Sequence, residues 1–230
     1  MKRIPVLFLF LFLFLASFGV EITKTYEFKD FDEVRIGHTF EISVTKGPEY
    51  KVEVISEEKY MDNIDVGVDG DELYIDYEWE FFSWGNHSKR IKVNIVMPHL
   101  SKATFSGASL SSIKGFEEEE LKIEISGASE SDIEINSEEL KLEVSGASKC
   151  KLTGDALNFH LEISGASELD SFKFSADNIK ADLSGASSAK VNAVKILDVI
   201  ASGASTLEFK GNAKVTEDVS GASSIKKITG

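Results

Sequence analysis

Apolar and charged residues alternate with a period of two along the second half of the chain. The segment Leu121-Lys122-Ile123-Glu124-Ile125 shows this alternation, and residues 140–144, 159–163 and 179–183 repeat it. A period of two is typical of a β-strand with one buried face. Because no stretch carries a helical period of comparable length, we expect an all-β protein.

The tetrapeptide Ser-Gly-Ala-Ser follows each alternating segment. It occurs seven times between Ser106 and the C-terminus, at spacings of 20, 19, 19, 20, 18 and 18 residues. A nearly constant period indicates stacked structural repeats. After each motif the pattern predicts a second, weaker strand and then a polar turn. The residues expected to point inward from these second strands are Ile133, Ile135, Leu152, Phe172, Phe174, Val191 and Phe209.

Two short strands and two corners per repeat predict one coil of a β-solenoid. We expect a right-handed parallel β-helix of about seven ~19-residue coils over residues 101–230, with equivalent strands paired in parallel ~4.8 Å apart. Glycine accepts the positive φ or tight backbone that a stacked corner needs. The predicted corner residues are Gly107, Gly127, Gly146, Gly165, Gly185, Gly203 and Gly221. Glu217 takes an inward position, so the last coil is expected to fray or to be capped.

Residues 20–100 lack the motif but keep strand patterns. Turn signals stand at Gly47-Pro48 and at Asp69-Gly70-Asp71. These features predict an N-terminal β module that leads directly into the solenoid and covers its first open edge.

Residues 1–19 have the layout of a signal peptide. Lys2 and Arg3 precede a Leu- and Phe-rich run, and small residues stand before Val20. An uncleaved membrane anchor is the alternative, although the apolar run is marginal in length for a span. We expect export to the periplasm, cell surface or medium, with no membrane span after cleavage.

The chain is acidic and holds a single cysteine. Its formal charge is −14, and removal of Lys2 and Arg3 leaves −16. This charge argues against nucleic acid as a partner, because phosphates are bound by Lys and Arg. Cys150 cannot form an intrachain disulfide, and its inward position predicts a buried thiol.

Outward charged residues form two predicted columns beside the motifs. The acids Glu124, Glu143, Glu162 and Asp182 stand two residues before a motif, and Lys122, Lys141, His160 and Lys180 stand four before it. The acids alone suggest a Ca²⁺ site, but the neighbouring cations favour a charge-balanced surface. The histidines, His38, His87, His99 and His160, lack metal-ligand spacing. We therefore expect no metal, no cofactor and no catalytic residues.

The stretch from Trp79 to His87 interrupts the alternation and holds both tryptophans. Aromatic residues concentrated on a loop can stack on sugars or anchor a protein partner. The candidate ligand or partner residues are Trp79, Phe81, Phe82 and Trp84. In the alternative interpretation they plug the end of the solenoid or pack between the modules. The motif serines offer a second candidate, a column of hydroxyl groups for a flat ligand such as a glycan or ice. In the alternative interpretation, the motif is simply the smallest corner that can stack.

Three segments together resemble a known family. They are residues 26–34, residues 93–100, which end in Met-Pro-His-Leu, and the Ser-Gly-Ala-Ser repeats. In this order they resemble the "putative auto-transporter adhesin, head GIN domain" family of secreted and envelope bacterial proteins. The resemblance covers about residues 22–229, so that residues 20–230 together resemble one head GIN domain. Serine stands at the fourth motif position, where the family more often has glycine. The resemblance implies a β-solenoid without known catalytic residues.

These features together predict an exported, non-enzymatic, adhesin-like or structural binding protein of the bacterial envelope. A glycan or a cell-surface protein is the expected partner. Two alternatives stay open. One is a polysaccharide-active enzyme, since β-helices host such enzymes. The other is an envelope scaffold that self-associates through its coil ends into a homo-oligomer.

Overall fold

The computed structural model describes residues 20–77 and 90–228, which form one continuous sheet of sixteen strands. The strands are β1 (Glu21–Tyr26), β2 (Glu33–Ile36), β3 (Phe40–Lys46), β4 (Lys51–Glu57), β5 (Ile64–Asp69), β6 (Glu72–Tyr77), β7 (Ile91–Met97), β8 (Lys102–Phe105), β9 (Leu110–Ile125), β10 (Glu130–Val144), β11 (Lys149–Ile163), β12 (Glu168–Leu183), β13 (Ser188–Ala201), β14 (Thr206–Lys210), β15 (Lys214–Val219) and β16 (Ser224–Lys227). One short helix, α1 (Glu58–Met61), lies between β4 and β5. The predicted all-β solenoid of about seven turns with an N-terminal strand module is confirmed.

Each central coil is a single long strand rather than the two short strands expected from the sequence. Strands β9 to β13 run from the residue after one motif to the residue before the next. The second corner bends the chain inside one strand. The parallel register continues through Gly154, which has a φ of 119°, and shifts by one residue at Gly115, which has a φ of 82°. Only the Ser-Gly-Ala-Ser corner separates one strand from the next.

The core is built from columns of like residues stacked along the solenoid axis. In one such column, each residue pairs in register with its counterpart in the next coil and is at most 2% exposed. Its members are Leu121, Leu140, Phe159, Ile179 and Leu197. One coil alone cannot bury these side chains, so stacking on neighbouring coils supplies most of the burial.

Phe172 does not point inward, and on this point the sequence interpretation was wrong. Ser171 takes the buried position instead, at 1% exposure, and Phe174 takes the next one. The register between β12 and β13 jumps from the Asp170–Lys190 pair to the Ser175–Asn192 pair, so β12 bulges outward at this point. The bulge shifts the alternation by one residue and moves Phe172 to the outer face.

The N-terminal module continues the coils instead of forming a separate body. The pair β2–β3 lies between β6–β7 on one side and β8–β9 on the other, always in parallel pairing. At the outer end the pairing becomes antiparallel, with β4 and then β1 added beside β7, and β5 beside β6. These antiparallel strands cover the first coil, as the sequence pattern predicts.

The last coils bury little. Glu217 pairs in register with buried Val199, but Glu217 itself is exposed, as is most of β15. A charge at an inward position suits the end of a stack, where the side chain can still reach water.

Cys150 is a free thiol that is 2% exposed in the middle of the stack. Burial, with a smaller contribution from Asp132, raises the pKa of this thiol far above its usual value.

Candidate functional site

The glycines of the seven motifs form one stacked column. All have positive φ, between 70° and 82°. In the central corners the amide of the following alanine donates a hydrogen bond to the glycine carbonyl one coil earlier, as Ala186 N does to Gly165 O at 2.8 Å. A Cβ added at Gly185 would lie 2.6 Å from Gly165 O. Glycine is therefore required here by both backbone conformation and the close approach of successive corners.

The two serines of each motif face different surroundings. The first serine is partly exposed, whereas the fourth-position serine is buried in the first six motifs. The buried hydroxyls bond to one another and to the corner backbone. Ser109 Oγ donates to Ser129 Oγ at 3.1 Å, and Ser129 Oγ donates to Ser126 O at 2.8 Å. Half of the predicted hydroxyl column is thus internal, and only the first serines can contact a ligand.

The outward charges beside the motifs form a ladder of ion pairs. Lys122 Nζ lies 2.5 Å from Glu124 and 3.1 Å from Glu143. Lys141 Nζ lies 3.2 Å from Glu143 and 3.8 Å from Glu162. Burial opposes the ionisation of Glu143, but hydrogen bonds from the two lysines outweigh it and lower the pKa of this carboxyl. Each lysine thus bridges two successive acids, which gives the charge-balanced surface favoured by the sequence.

This ladder breaks at the next coil. His160 occupies the lysine position, but its Nε2 lies 3.7 Å from Glu139 and bridges neither Glu162 nor Asp182. Within residues 20–77 and 90–228, Asp182 has no cation within 4.0 Å. One coil further, Ile200 replaces the acid and is 52% exposed. The regular surface is therefore interrupted here by a carboxylate without a cation partner in the described part of the chain, beside an exposed apolar residue.

A groove of about 300 Å³ coincides with this interruption. The side chains that line it include Glu143, Glu162, Asp182, Ile200, Ser145, Ser164, Ser184 and Ser202. A second depression of about 200 Å³, beside His160 and Lys180, shares Glu162 and Asp182 with it. The groove thus places three acids beside a row of first-position hydroxyls, next to the glycine column.

The aromatic candidates Trp79, Phe81, Phe82 and Trp84 lie outside the described residues. The chain positions on either side of them are described. Three residues separate Ile36 from Phe40, whereas fifteen separate their register partners Ile75 and Ile91. The aromatic stretch is therefore inserted at a corner of the same edge that carries the motif column.

Two contacts tie the ends of this insertion to the coils. On the far side, Arg90 Nη1 donates to Ala108 O, in the first motif, at 3.0 Å. On the near side, the carboxylate of Asp76 pairs with His38 Nε2 at 2.6 Å and accepts a hydrogen bond from Tyr77 N. The insertion thus begins and ends beside the motif column.

The three described histidines do not converge on a metal site. His38 faces Asp76, His99 Nδ1 lies 3.3 Å from Glu118, and His160 faces Glu139. His87 lies outside the described residues. In the described part of the chain, no group of three or more His, Cys, Asp or Glu could hold a metal ion. None of its helices is long and apolar enough to cross a membrane.

The family of the protein follows from a match over most of its length. Residues 30–213 match the model of the "putative auto-transporter adhesin, head GIN domain" family. The chain belongs to this family. No curated protein matches the chain. Its family and its fold thus indicate an adhesin-like β-solenoid protein, in agreement with the resemblance found in the sequence.

Solved structures share the fold of this head GIN domain. A "putative adhesin" of Bacteroides fragilis is 22% identical, with a TM-score of 0.84 over 91% of this chain and 97% of its own. A "putative lipid binding protein" of Parabacteroides distasonis is 15% identical, with a TM-score of 0.74 over 92% and 98%. A "putative adhesin" of Parabacteroides merdae is also 15% identical, with a TM-score of 0.72 over 92% and 97%.

The groove was not foreseen from the sequence of this head GIN domain, although its signal was present. Ile200 interrupts the column of acids, and His160 and Asp198 interrupt the column of lysines. In a repeat protein such exceptions on the outer face are informative, because stacking does not require them. The burial of the fourth serine, by contrast, follows only from the geometry of the corner.

Proposed function

We propose that this protein is an exported, non-enzymatic binding protein of the bacterial envelope, of the adhesin type, with a glycan or a cell-surface protein as its partner. Membership of an adhesin family supports a binding role. The interrupted ladder carries the proposal, because Glu162, Asp182 and the first-position serines form a groove rich in hydrogen-bonding groups along the motif edge. Regular repetition of the remaining surface favours binding over catalysis, which needs a single specialised constellation.

The aromatic insertion is proposed as a second part of the same binding edge. Its flanking residues Tyr77 and Arg90 stand at a corner in line with the motif column. Aromatic rings in that position would stack on sugar rings or anchor a protein partner. Trp84→Ala is expected to weaken binding and leave the melting temperature nearly unchanged. A large loss of melting temperature with unchanged binding would instead assign the stretch to packing.

Binding to a glycan and cell-surface array tests the proposal. The double variant Glu162→Gln/Asp182→Asn should weaken binding about tenfold, since hydrogen bonds to charged groups contribute ~1.5–3 kcal/mol and ~1.4 kcal/mol is tenfold. The matched control Asp132→Asn/Glu134→Gln removes two exposed acids from another face of the coils and should leave binding unchanged. If the protein bound to none of the glycans or cell surfaces on the array, the adhesin-type role would be contradicted.

Export and the absence of catalysis need separate measurements. Sequencing the N-terminus of the exported protein should give Val20 as its first residue, and a retained leader would contradict signal-peptide cleavage. Release of reducing or unsaturated sugars from polysaccharides would support the enzymatic alternative. A concentration-dependent mass in light scattering would support the self-associating scaffold.

A further inference from the structure

Phe172 is an aromatic residue that the fold turns away from its own core. The bulge in β12 buries Ser171 and Phe174 and leaves Phe172 between them on the outer face, partly exposed. Ser171 Oγ holds this geometry by donating to Lys190 O at 2.5 Å. Phe172 does not pack against the hydrophobic core. Bulges often redirect a side chain at a functional surface.

Two lysines from the next two coils converge on the Phe172 ring. Lys190 Nζ lies 5.9 Å from the ring centroid, and Lys210 Nζ lies 5.7 Å from it. These distances are in the range of cation–π attraction. Since both lysines are partly exposed, the ring holds two ammonium groups close together at the surface.

The ammonium groups of these lysines are not neutralised by ion pairs. Asp170 and Glu208 flank Lys190 in register, yet in the described part of the chain neither ammonium has a carboxylate within 4.0 Å. Lysines elsewhere, such as Lys122 and Lys141, do make such pairs. The Phe172 ring thus gathers two ammonium groups at one spot on the surface of a protein of net charge −14.

We propose that Phe172, Lys190 and Lys210 form a subsite for an acidic glycan, meaning a sugar that carries a carboxylate or sulfate. The ammonium groups would pair with the anion by charge-assisted hydrogen bonds, and the exposed part of the ring would contact the apolar face of the sugar. The charge of the spot and its aromatic base favour such a ligand over a neutral one. This inference deepens the proposed binding function, and it concerns a different face from the groove.

Polygalacturonate is the probe, with its methyl ester as a neutral control that has the same sugar backbone. We expect the full mature chain to bind polygalacturonate and not the ester, and to bind more weakly at 200 mM than at 50 mM salt, concentrations that differ about twofold in screening length. Lys190→Gln/Lys210→Gln should weaken binding about tenfold or more. Phe172→Leu, which keeps an apolar side chain but removes the ring, should weaken it about threefold.

The matched control is Lys149→Gln/Lys151→Gln, which removes two exposed lysines from the start of β11. It should leave binding within about twofold, because the ammonium groups over the Phe172 ring are those of Lys190 and Lys210. Equal losses in both double variants, or no binding of polygalacturonate, would overturn the subsite. Binding to phosphatidylglycerol vesicles without binding to any acidic glycan would overturn it as well. Retained cell-surface binding with no response to acidic glycans would contradict this inference alone, whereas loss of all cell-surface binding would contradict the proposed function.

Discussion

Replacing one corner glycine by alanine tests whether the motif column is held by direct backbone stacking. Gly185 is the best position, since it lies in the middle of the stack with φ of 74°. Alanine in a left-handed conformation costs ~1–2 kcal/mol. In addition, its Cβ would lie 2.6 Å from Gly165 O and 3.0 Å from Gly165 N, which are backbone atoms that cannot rotate away. The two coils would have to separate, at the expense of the hydrogen bond from Ala186 N to Gly165 O, which contributes ~1 kcal/mol.

The expected total is at least about 3 kcal/mol, or a fall in melting temperature of roughly 6–12 °C for a domain of this size. Gly70→Ala is the matched control, because Gly70 has φ of 61° but nothing within 4 Å of an added Cβ. The control should lose only the conformational ~1–2 kcal/mol. Thermal melts and urea titrations of both variants measure the difference. Equal losses would refute the stacking argument and leave backbone conformation as the only requirement.

Three further changes test the core, the buried serines and the charged ladder. Leu140→Ala should destabilise the protein by ~2–5 kcal/mol in urea titration, because a fully buried residue is lost from the central column; a loss under ~1 kcal/mol would contradict the stacked core. Ser148→Val should cost ~1–3 kcal/mol, since the buried amide of Ser129 loses the acceptor that Ser148 Oγ provides at 3.3 Å; an unchanged midpoint would show that this bond is dispensable. The lowered pKa of Glu143 means that its ionised form stabilises the fold above the ordinary carboxyl pKa and that this contribution disappears as the pH falls through the lowered value. Melting temperatures of Glu143→Gln should therefore fall less than those of the wild type between pH 5 and pH 3, and parallel curves would contradict the lysine pairing.

The fold could be predicted because inward positions and corners obey rules that operate on short stretches of chain. The alternation around Leu140 identifies a buried strand face, and the spacing of the glycines identifies the coil length. The departure at Phe172 could not be predicted. Its cause is an insertion in one coil relative to the next. The motif spacings of 20 and 18 residues show that the coils differ in length, but only the register between β12 and β13 shows where the extra residues lie.

The candidate site was harder to predict than the fold, for a related reason. Whether Asp182 has a cation partner depends on the directions of the His160 and Lys180 side chains. The His160 ring lies toward Glu139, in the preceding coil, and in the described part of the chain Lys180 Nζ is not within 4.0 Å of Asp182. The sequence places a cation in that column but does not give its orientation. The burial of Ser148 similarly depends on the direction in which the chain leaves the glycine corner, which alternation alone does not define.

Stacking limits where a solenoid of this kind can vary. An inward residue such as Leu140 must match its neighbours above and below, and a corner such as Gly185 tolerates no Cβ. Outward positions are restricted only by the weak interactions of surface charges, which contribute ~0–1 kcal/mol per pair. A change there costs the fold little, so the outer face can acquire a specific feature without loss of stability. The break at Asp182 and the lysine-covered ring of Phe172 both lie on this outer face. Ligand recognition by this protein is therefore expected where the repeat departs from its own pattern, rather than along the regular surface that most of the motif builds.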